Sequence, residues 1–128
     1  WLTICVAWGL AVTMAIYAVG SVSGAHLNPA VTIGLLIDGS FPSDLVVGYI
    51  LAQMGGAFCG AVLVWMFYYP QWKPTADASA KLAVFCTGPA IRHTPSNLLS
   101  EVVATALLVM GILFIGANKF TEGLNPLV

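Results

Sequence analysis

Long uncharged stretches dominate the pattern of hydrophobic and polar residues along the chain. Residues 2–20 and 45–69 contain no charged side chain, and residues 98–117 contain a single one, Glu101. A helix needs about 20 apolar residues to cross the bilayer core, which is roughly 30 Å thick. Each stretch is therefore predicted to form a transmembrane helix, and residues 124–128 are predicted to begin a further one.

A shorter apolar stretch, residues 28–37, lies between the first two predicted spans. It opens with Asn28 and Pro29, a pair that favours a helix start, because asparagine caps the first turn and proline has the φ of the first helical position. The helix that follows is about 13 Å long, too short to cross the bilayer. We predict a re-entrant half-helix here, preceded by an extended segment at residues 21–27.

Such a half-helix indicates a water-filled pathway, because irregular backbone at membrane depth is tolerated only beside protein or water. The carbonyl groups of residues 24–27 are expected to accept hydrogen bonds from water or hydroxyls. If the side-chain oxygen of Asn28 caps the helix, its NH₂ group remains as a donor. The positive end of the helix dipole at that point disfavours cations and protons. An ordinary capped surface helix is the alternative, and it leaves the lack of charge unexplained.

Composition supports a membrane protein, since 59% of the residues are hydrophobic and only 7% are charged. The net charge of −1 includes no basic cluster, so no nucleic-acid partner is expected. Cys5, Cys59 and Cys86 are widely spaced and are interpreted as packing residues. His26 is expected to contribute its backbone, because the sequence lacks a His-Glu-x-x-His pattern. No metal site or cofactor is predicted.

Residues 23–34, which read SGAHLNPAVTIG, closely resemble the first signature loop of the aquaporin and glycerol-facilitator family, the major intrinsic proteins. The resemblance extends over most of the 128 residues. It implies an all-α membrane protein, an aquaporin-like right-handed bundle of tilted transmembrane helices with a re-entrant half-helix. Family members contain two inverted repeats, so this chain is expected to be a fragment or partial chain with about half of the fold. It lacks the second signature and the arginine of the constriction.

The resemblance also implies a function: a passive channel for glycerol, other small uncharged polyols and water, which excludes ions and protons and is not an enzyme. In glycerol-conducting members, a tryptophan twenty residues before the signature asparagine forms one wall of the constriction, and Trp8 stands at that distance from Asn28. Water-selective members typically have phenylalanine there. Composition alone leaves Trp8 open to another interpretation, an anchor at the membrane interface. The predicted pore-lining residues are Trp8, Gly24, Ala25, His26, Leu27 and Asn28.

Four residues are predicted to support the pore. Pro29 and Ala30 start the half-helix. Gln53, inside a span, needs a hydrogen-bond partner, and either structural bracing or substrate contact would supply one. Glu101 is either an ion or proton carrier or a brace that accepts backbone N–H groups of residues 24–27, and the resemblance favours the brace.

A stripe of small residues on the second span predicts close helix contact, for which the half-helix is one candidate partner. It comprises Gly48, Ala52, Gly56 and Gly60. Residues 70–97 are expected to form a loop, and the resemblance implies that this loop is extracellular, although its three basic residues run against the positive-inside tendency. The resemblance further implies a homotetramer in the lipid bilayer of the plasma membrane.

Two alternatives to a glycerol channel remain open at this point. The first is a water-selective aquaporin, which the residues around the missing arginine would distinguish. The second is an ion- or proton-coupled carrier that uses Glu101, which would transport in a manner dependent on pH or membrane potential.

Overall fold

The computed structural model describes residues 1–117, and within them the regular elements are helical. The all-α expectation is confirmed for this part of the chain, whereas the predicted helix at residues 124–128 lies outside it. A 3₁₀ turn, Ser43–Leu45, directly precedes the third helix. The helices are α1 Leu2–Ser23, α2 Pro29–Asp38, α3 Val46–Phe67, α4 Tyr69–Trp72, α5 Ala78–Ala83 and α6 Thr94–Ala117.

Three helical segments of the described residues are long and apolar enough to cross a membrane. They are α1, the segment Ser43–Phe67 that contains α3, and α6. Helix α2 has 10 residues, so it is about 15 Å long and reaches only half-way across a bilayer core. The described chain therefore combines three spans with one half-length helix, as the distribution of apolar stretches predicts.

Helix α1 ends at Ser23, three residues later than the sequence pattern indicates. Gly20 lies inside the helix, and its carbonyl accepts a hydrogen bond from the backbone N–H of Gly24 at 2.9 Å. In the last turn, the hydroxyl of Ser23 donates to the carbonyl of Val19 at 3.2 Å. Gly24 then adopts the left-handed conformation, with φ of 72°, and ends the helix.

The half-helix α2 lies against both α3 and α6, and it contains the most deeply buried side chains among residues 1–117. The side chain of Thr32 is fully buried and that of Val31 is 5% exposed. The helix ends in a left-handed glycine, Gly39, and the N–H of Ser40 donates to the carbonyl of Leu35 at 3.0 Å. The core of the described residues is thus built around this short helix.

The region predicted as a loop, residues 70–97, contains regular structure. Two short helices, α4 and α5, begin and end within or next to it, and Asp77 caps α5 by accepting the N–H of Ser79 at 2.8 Å. The rings of Trp72 and Phe85 stack with centroids 5.5 Å apart. Helix α6 begins at Thr94, four residues earlier than predicted, because Pro95 suits a first helical turn.

The stripe of small residues on α3 does not pack against the half-helix, so that prediction was wrong. A Cβ atom at Gly48, Gly56 or Gly60 would meet no atom within 4 Å. The face of α3 that contacts the half-helix region contains Tyr49 and Gln53, which find polar partners there. Each follows a stripe residue in sequence, and one residue turns a helix by about 100°, so the stripe points elsewhere.

Candidate functional site

A cavity of about 1000 Å³, called here the main cavity, lies between α1, residues 24–28, α2 and the C-terminal half of α6. The structure brings all six predicted pore-lining residues to its surface. Those six are Trp8, Gly24, Ala25, His26, Leu27 and Asn28. The remaining lining residues are Gly9, Val12, Thr13, Ile16, Val31, Leu35, Asp38, Ser40, Leu108, Ile112, Leu113, Phe114, Gly116 and Ala117.

One wall of the main cavity is a row of large apolar side chains on α1. Trp8, Val12 and Ile16 recur every four residues and therefore share one face of the helix. Thr13 also lines the cavity, and its hydroxyl donates to the carbonyl of Gly9 at 2.8 Å. Sequence reasoning singled out Trp8 alone, although the four-residue spacing that continues from it would have indicated the other two.

The segment between α1 and α2 is not the extended backbone that the sequence analysis predicted. Gly24, Ala25 and Leu27 all have positive φ, at 72°, 47° and 53°. Left-handed conformations cost an L-residue roughly 1–2 kcal/mol each, so Ala25 and Leu27 are strained. The reason is geometric: only five residues, 24–28, separate the two helices, and the left-handed residues among them make the reversal compact. Strain of this kind is concentrated at functional sites.

Asn28 caps the half-helix as predicted. Its backbone is extended, and its Oδ1 accepts the N–H of Ala30 at 2.9 Å, while Pro29 occupies the first helical position. Since the oxygen is engaged, the NH₂ group is the part left for other partners. Within residues 1–117 that NH₂ group makes no hydrogen bond, and Asn28 lines the main cavity. The site thus offers a donor at the positive end of a helix dipole.

Thr32 connects the half-helix to its surroundings and was missed by sequence reasoning. Its Oγ1 accepts a hydrogen bond from Nε2 of Gln53 at 3.0 Å and lies 3.0 Å from Nδ1 of His26. The hydroxyl also lies 3.4 Å from the carbonyl of Asn28. A hydroxyl has one proton and two lone pairs, so these contacts use most of its hydrogen-bonding capacity. A threonine inside an apolar helix is only a weak sign of a hydrogen-bonding role, and its two partners can be identified only from the folded structure.

An aromatic cluster holds the His26 ring. Phe41 and Tyr49 lie against it with ring centroids 4.6 Å and 5.0 Å away. The hydroxyl of Tyr49 donates to the carbonyl of Ser23 at 2.9 Å, which ties α3 to the end of α1. His26 therefore contributes its side chain to packing as well as lining the main cavity, beyond the backbone role predicted for it.

Gln53 and Glu101, the two polar residues predicted to support the pore, differ in placement. Gln53 contacts Thr32 and does not line the main cavity, a geometry that suits bracing. Glu101 is exposed and makes no hydrogen bond to residues 24–27 in the described chain, so the predicted brace is not formed there. It lines a second cavity of about 700 Å³, together with Arg92.

Glu101 lies apart from the point where the half-helix meets α6. That contact is at Val109, and the lining of the main cavity begins at Leu108. Glu101 precedes Val109 by eight residues, which is about 12 Å along a helix, and it lines the second cavity instead of the main one.

The main cavity is nearly uncharged. Among its lining residues Asp38, at the C-terminal end of α2, carries the one carboxylate, and the hydroxyl of Ser40 donates to it. Within residues 1–117 no three His, Cys, Asp or Glu side chains lie close enough together to hold a metal ion. The arrangement suits the binding of a small neutral molecule with both apolar and polar groups.

Comparison with curated proteins identifies relatives over the whole chain. A probable glycerol uptake facilitator protein of Thermotoga maritima is 59% identical over 128 residues, which is 100% of this chain and 55% of that protein. The glycerol uptake facilitator protein of Bacillus subtilis is also 59% identical, with 100% and 47% covered. The propanediol uptake facilitator of Salmonella typhimurium is 36% identical, with 83% and 44% covered. The chain spans about half the length of these relatives.

The family model described as Major intrinsic protein matches residues 1–127. No solved structure gives a significant match to the chain. The match covers nearly every residue, including the capped half-helix and all three spans, and it agrees with the resemblance carried by residues 23–34. The chain therefore belongs to the major intrinsic protein family, whose fold is that of the aquaporins.

Proposed function

We propose that the protein forms a passive transmembrane channel for glycerol, other small uncharged polyols and water. The main observation behind this proposal is that Trp8 and Asn28 line the same cavity. Trp8 gives the cavity a large aromatic side chain, and Asn28 gives it a free amide donor at a helix N-terminus. Relatives that are 59% identical are named as glycerol uptake facilitators, which supports the same substrate class.

The chemistry of the main cavity matches that of a polyol. A polyol presents a carbon chain on one side and hydroxyl groups on the other. The α1 row of Trp8, Val12 and Ile16 offers apolar contact to the carbon chain, and the NH₂ group of Asn28 offers a donor to the hydroxyls. Backbone carbonyls of residues 24–27 would supply the matching acceptors.

Exclusion of ions and protons follows from the same site. The N-terminus of the half-helix carries the equivalent of roughly half a positive charge, and Asn28 stands at that end. A cation that passes this point would lose hydration and gain no anionic partner, because the cavity's Asp38 is ten residues away at the opposite end of the half-helix. A neutral polyol has no charge to desolvate and needs no anionic partner, so this point presents no electrostatic barrier to it.

Several residues would act by holding this site in place. Pro29 and Ala30 start the half-helix, and Gln53 braces it through Thr32. We infer that the protein works as a multi-pass homotetramer in the plasma membrane, in contact with lipid, with residues 70–97 outside the cell. It would move its substrates down their gradients without chemical change.

Osmotic swelling of proteoliposomes that contain the full-length protein tests the proposal. We expect vesicles in glycerol to re-swell much faster than empty vesicles, and vesicles in sucrose to stay shrunken. Val12→Trp places a larger side chain in the cavity and should block glycerol, whereas Val6→Trp, on the same helix but outside the cavity lining, should not. Water flux without glycerol flux would instead support a water-selective aquaporin. Transport that depends on pH or membrane potential would support a carrier that uses Glu101.

A further inference from the structure

The half-helix approaches α6 at one unusually close point, Gly34. A Cβ atom built at Gly34 would lie 2.5 Å from Cγ1 of Val109, 3.5 Å from its Cγ2 and 3.6 Å from its Cβ. By comparison, a Cβ atom at Gly20 of α1 would meet its first neighbour at 3.8 Å, an ordinary van der Waals distance. Gly34 therefore lies so close to Val109 of α6 that a larger residue fits only if one of the two helices or the valine side chain shifts.

Val109 has little freedom to move out of the way. Valine is branched at Cβ, and in a helix about 90% of valines adopt one χ1 rotamer. The three closest atoms around Gly34 all belong to this side chain, so only a change to a disfavoured χ1 rotamer would turn the methyl groups away from the contact. An added methyl group at Gly34 would therefore separate the two helices by about 1 Å, the gap between 2.5 Å and ordinary contact.

Displacement of the half-helix would change the main cavity. Val31 and Leu35, one turn apart on α2, line it together with Asn28. On the opposite side of the contact, Leu108 and Ile112 of α6 line the same cavity on either side of Val109. The Gly34–Val109 distance thus sets the separation of two cavity walls and the position of the amide at the tip of α2.

We propose that Gly34 is a positioning residue that, through its contact with Val109, determines which solutes the pathway admits by size. Thr32 and Gln53 hold the half-helix to α3 by a hydrogen bond, while Gly34 and Val109 set its distance from α6 by direct contact. This inference rests on the proposed channel function, because it assigns a role within that pathway.

The test compares four variants of the full-length protein in proteoliposomes at equal protein content. They are Gly34→Ala, Val109→Ala, the double variant, and Gly20→Ala as the matched control for an alanine in an apolar helix. Because an alanine at Gly34 moves the α2 and α6 walls of the main cavity apart, we expect the glycerol-to-water permeability ratio of Gly34→Ala to differ from that of the parent about tenfold, equivalent to about 1.4 kcal/mol. Glycerol is the larger solute, so its permeability should respond more strongly to the width than that of water. The double variant should return most of the way to the parent ratio, and Gly20→Ala should resemble the parent.

The glycerol-to-water permeability ratio separates positioning from a merely structural role, because loss of folded protein lowers both permeabilities together. An unchanged ratio in Gly34→Ala, or a double variant as impaired as the single one, would overturn the proposal. If Gly34→Ala does not fold, Val109→Ile enlarges the same contact from the other side, and the same ratio decides. If the parent itself carries no glycerol, the channel proposal fails. The Gly34–Val109 contact is then judged by whether Val109→Ala restores the melting temperature that Gly34→Ala lowers.

Discussion

Gln53 on α3 donates a hydrogen bond from its Nε2 to Oγ1 of Thr32 on the half-helix, at 3.0 Å. Thr32 is fully buried, and the other side-chain atom of the amide, Oε1 of Gln53, is buried without a partner within the described residues. An amide in a dry environment that loses its partner is costly. This bond therefore links a full span to the half-helix that begins after Asn28. Its loss should alter the position of the half-helix beside the main cavity.

Replacing Thr32 tests that link. Thr32→Val keeps the shape of the side chain but removes the hydroxyl, which leaves Nε2 of Gln53 and Nδ1 of His26 without their partner. A fully buried group left unsatisfied costs about 1–3 kcal/mol, and both contacts are part-buried, so a drop in thermal stability in detergent toward the lower end of that range is expected. Thr32→Ser retains the hydroxyl and should lose less. Equal melting temperatures for Thr32→Val and the parent would contradict the role of this bond.

Replacing Asn28 tests ion exclusion. Asn28→Asp still caps the half-helix, because aspartate is an equally good N-cap, but it exchanges the NH₂ donor for a full negative charge. That charge outweighs the roughly +0.5 of the helix dipole, so cation conductance measured in planar bilayers should rise. Asn28→Ser keeps a capping oxygen without the charge and is the control. Cation currents that do not differ among the three proteins would count against the mechanism.

Replacing Trp8 tests the aromatic wall. Trp8→Phe shortens a side chain that lines the main cavity, and the glycerol-to-water permeability ratio should change by about fivefold, the effect of about 1 kcal/mol. Trp65→Phe makes the same exchange on α3, outside the lining of the cavity, and should leave the ratio as it is. A ratio that Trp8→Phe does not alter would remove Trp8 from the selectivity determinants.

Replacing Tyr49 tests the tie between α3 and the end of α1. Tyr49→Phe removes the hydrogen bond to the carbonyl of Ser23 and keeps the ring against His26. Hydrogen bonds inside membrane proteins average about 0.6 kcal/mol, so a small decrease in stability is expected. Tyr17→Phe, at a side chain that is 70% exposed, should have no effect. The comparison is made by thermal unfolding of purified protein in detergent.

Sequence and structure agree on the features that depend on neighbouring residues. The uncharged length of each span, the helix start at Pro29 and the cap by Asn28 follow from local rules, because length, φ preference and a side chain two residues from its partner determine them. The six residues predicted to line the pore all line the main cavity. Five of them are consecutive, and the sixth, Trp8, stands at a spacing that the family resemblance singles out.

What depended on helix packing was not accessible from the sequence. The small-residue stripe of α3 indicated one contact face, yet the face with Tyr49 and Gln53 makes the contact. For Glu101, a brace to residues 24–27 was the favoured of two roles, but in the described chain this residue lines another cavity. The left-handed backbone at Ala25 and Leu27 has no local signal either, since neither residue favours it.

The sequence by itself determined that this is a membrane protein with a capped half-helix between two spans, because hydrophobic length and capping act within a few residues. Only the tertiary structure decided that Thr32 joins Gln53 and His26, and that Gly34 meets Val109. Those pairs are separated in sequence by as many as 75 residues, as the numbers of Gly34 and Val109 show. Their contact depends on how each helix is rotated and displaced relative to its neighbours, which no single helix encodes.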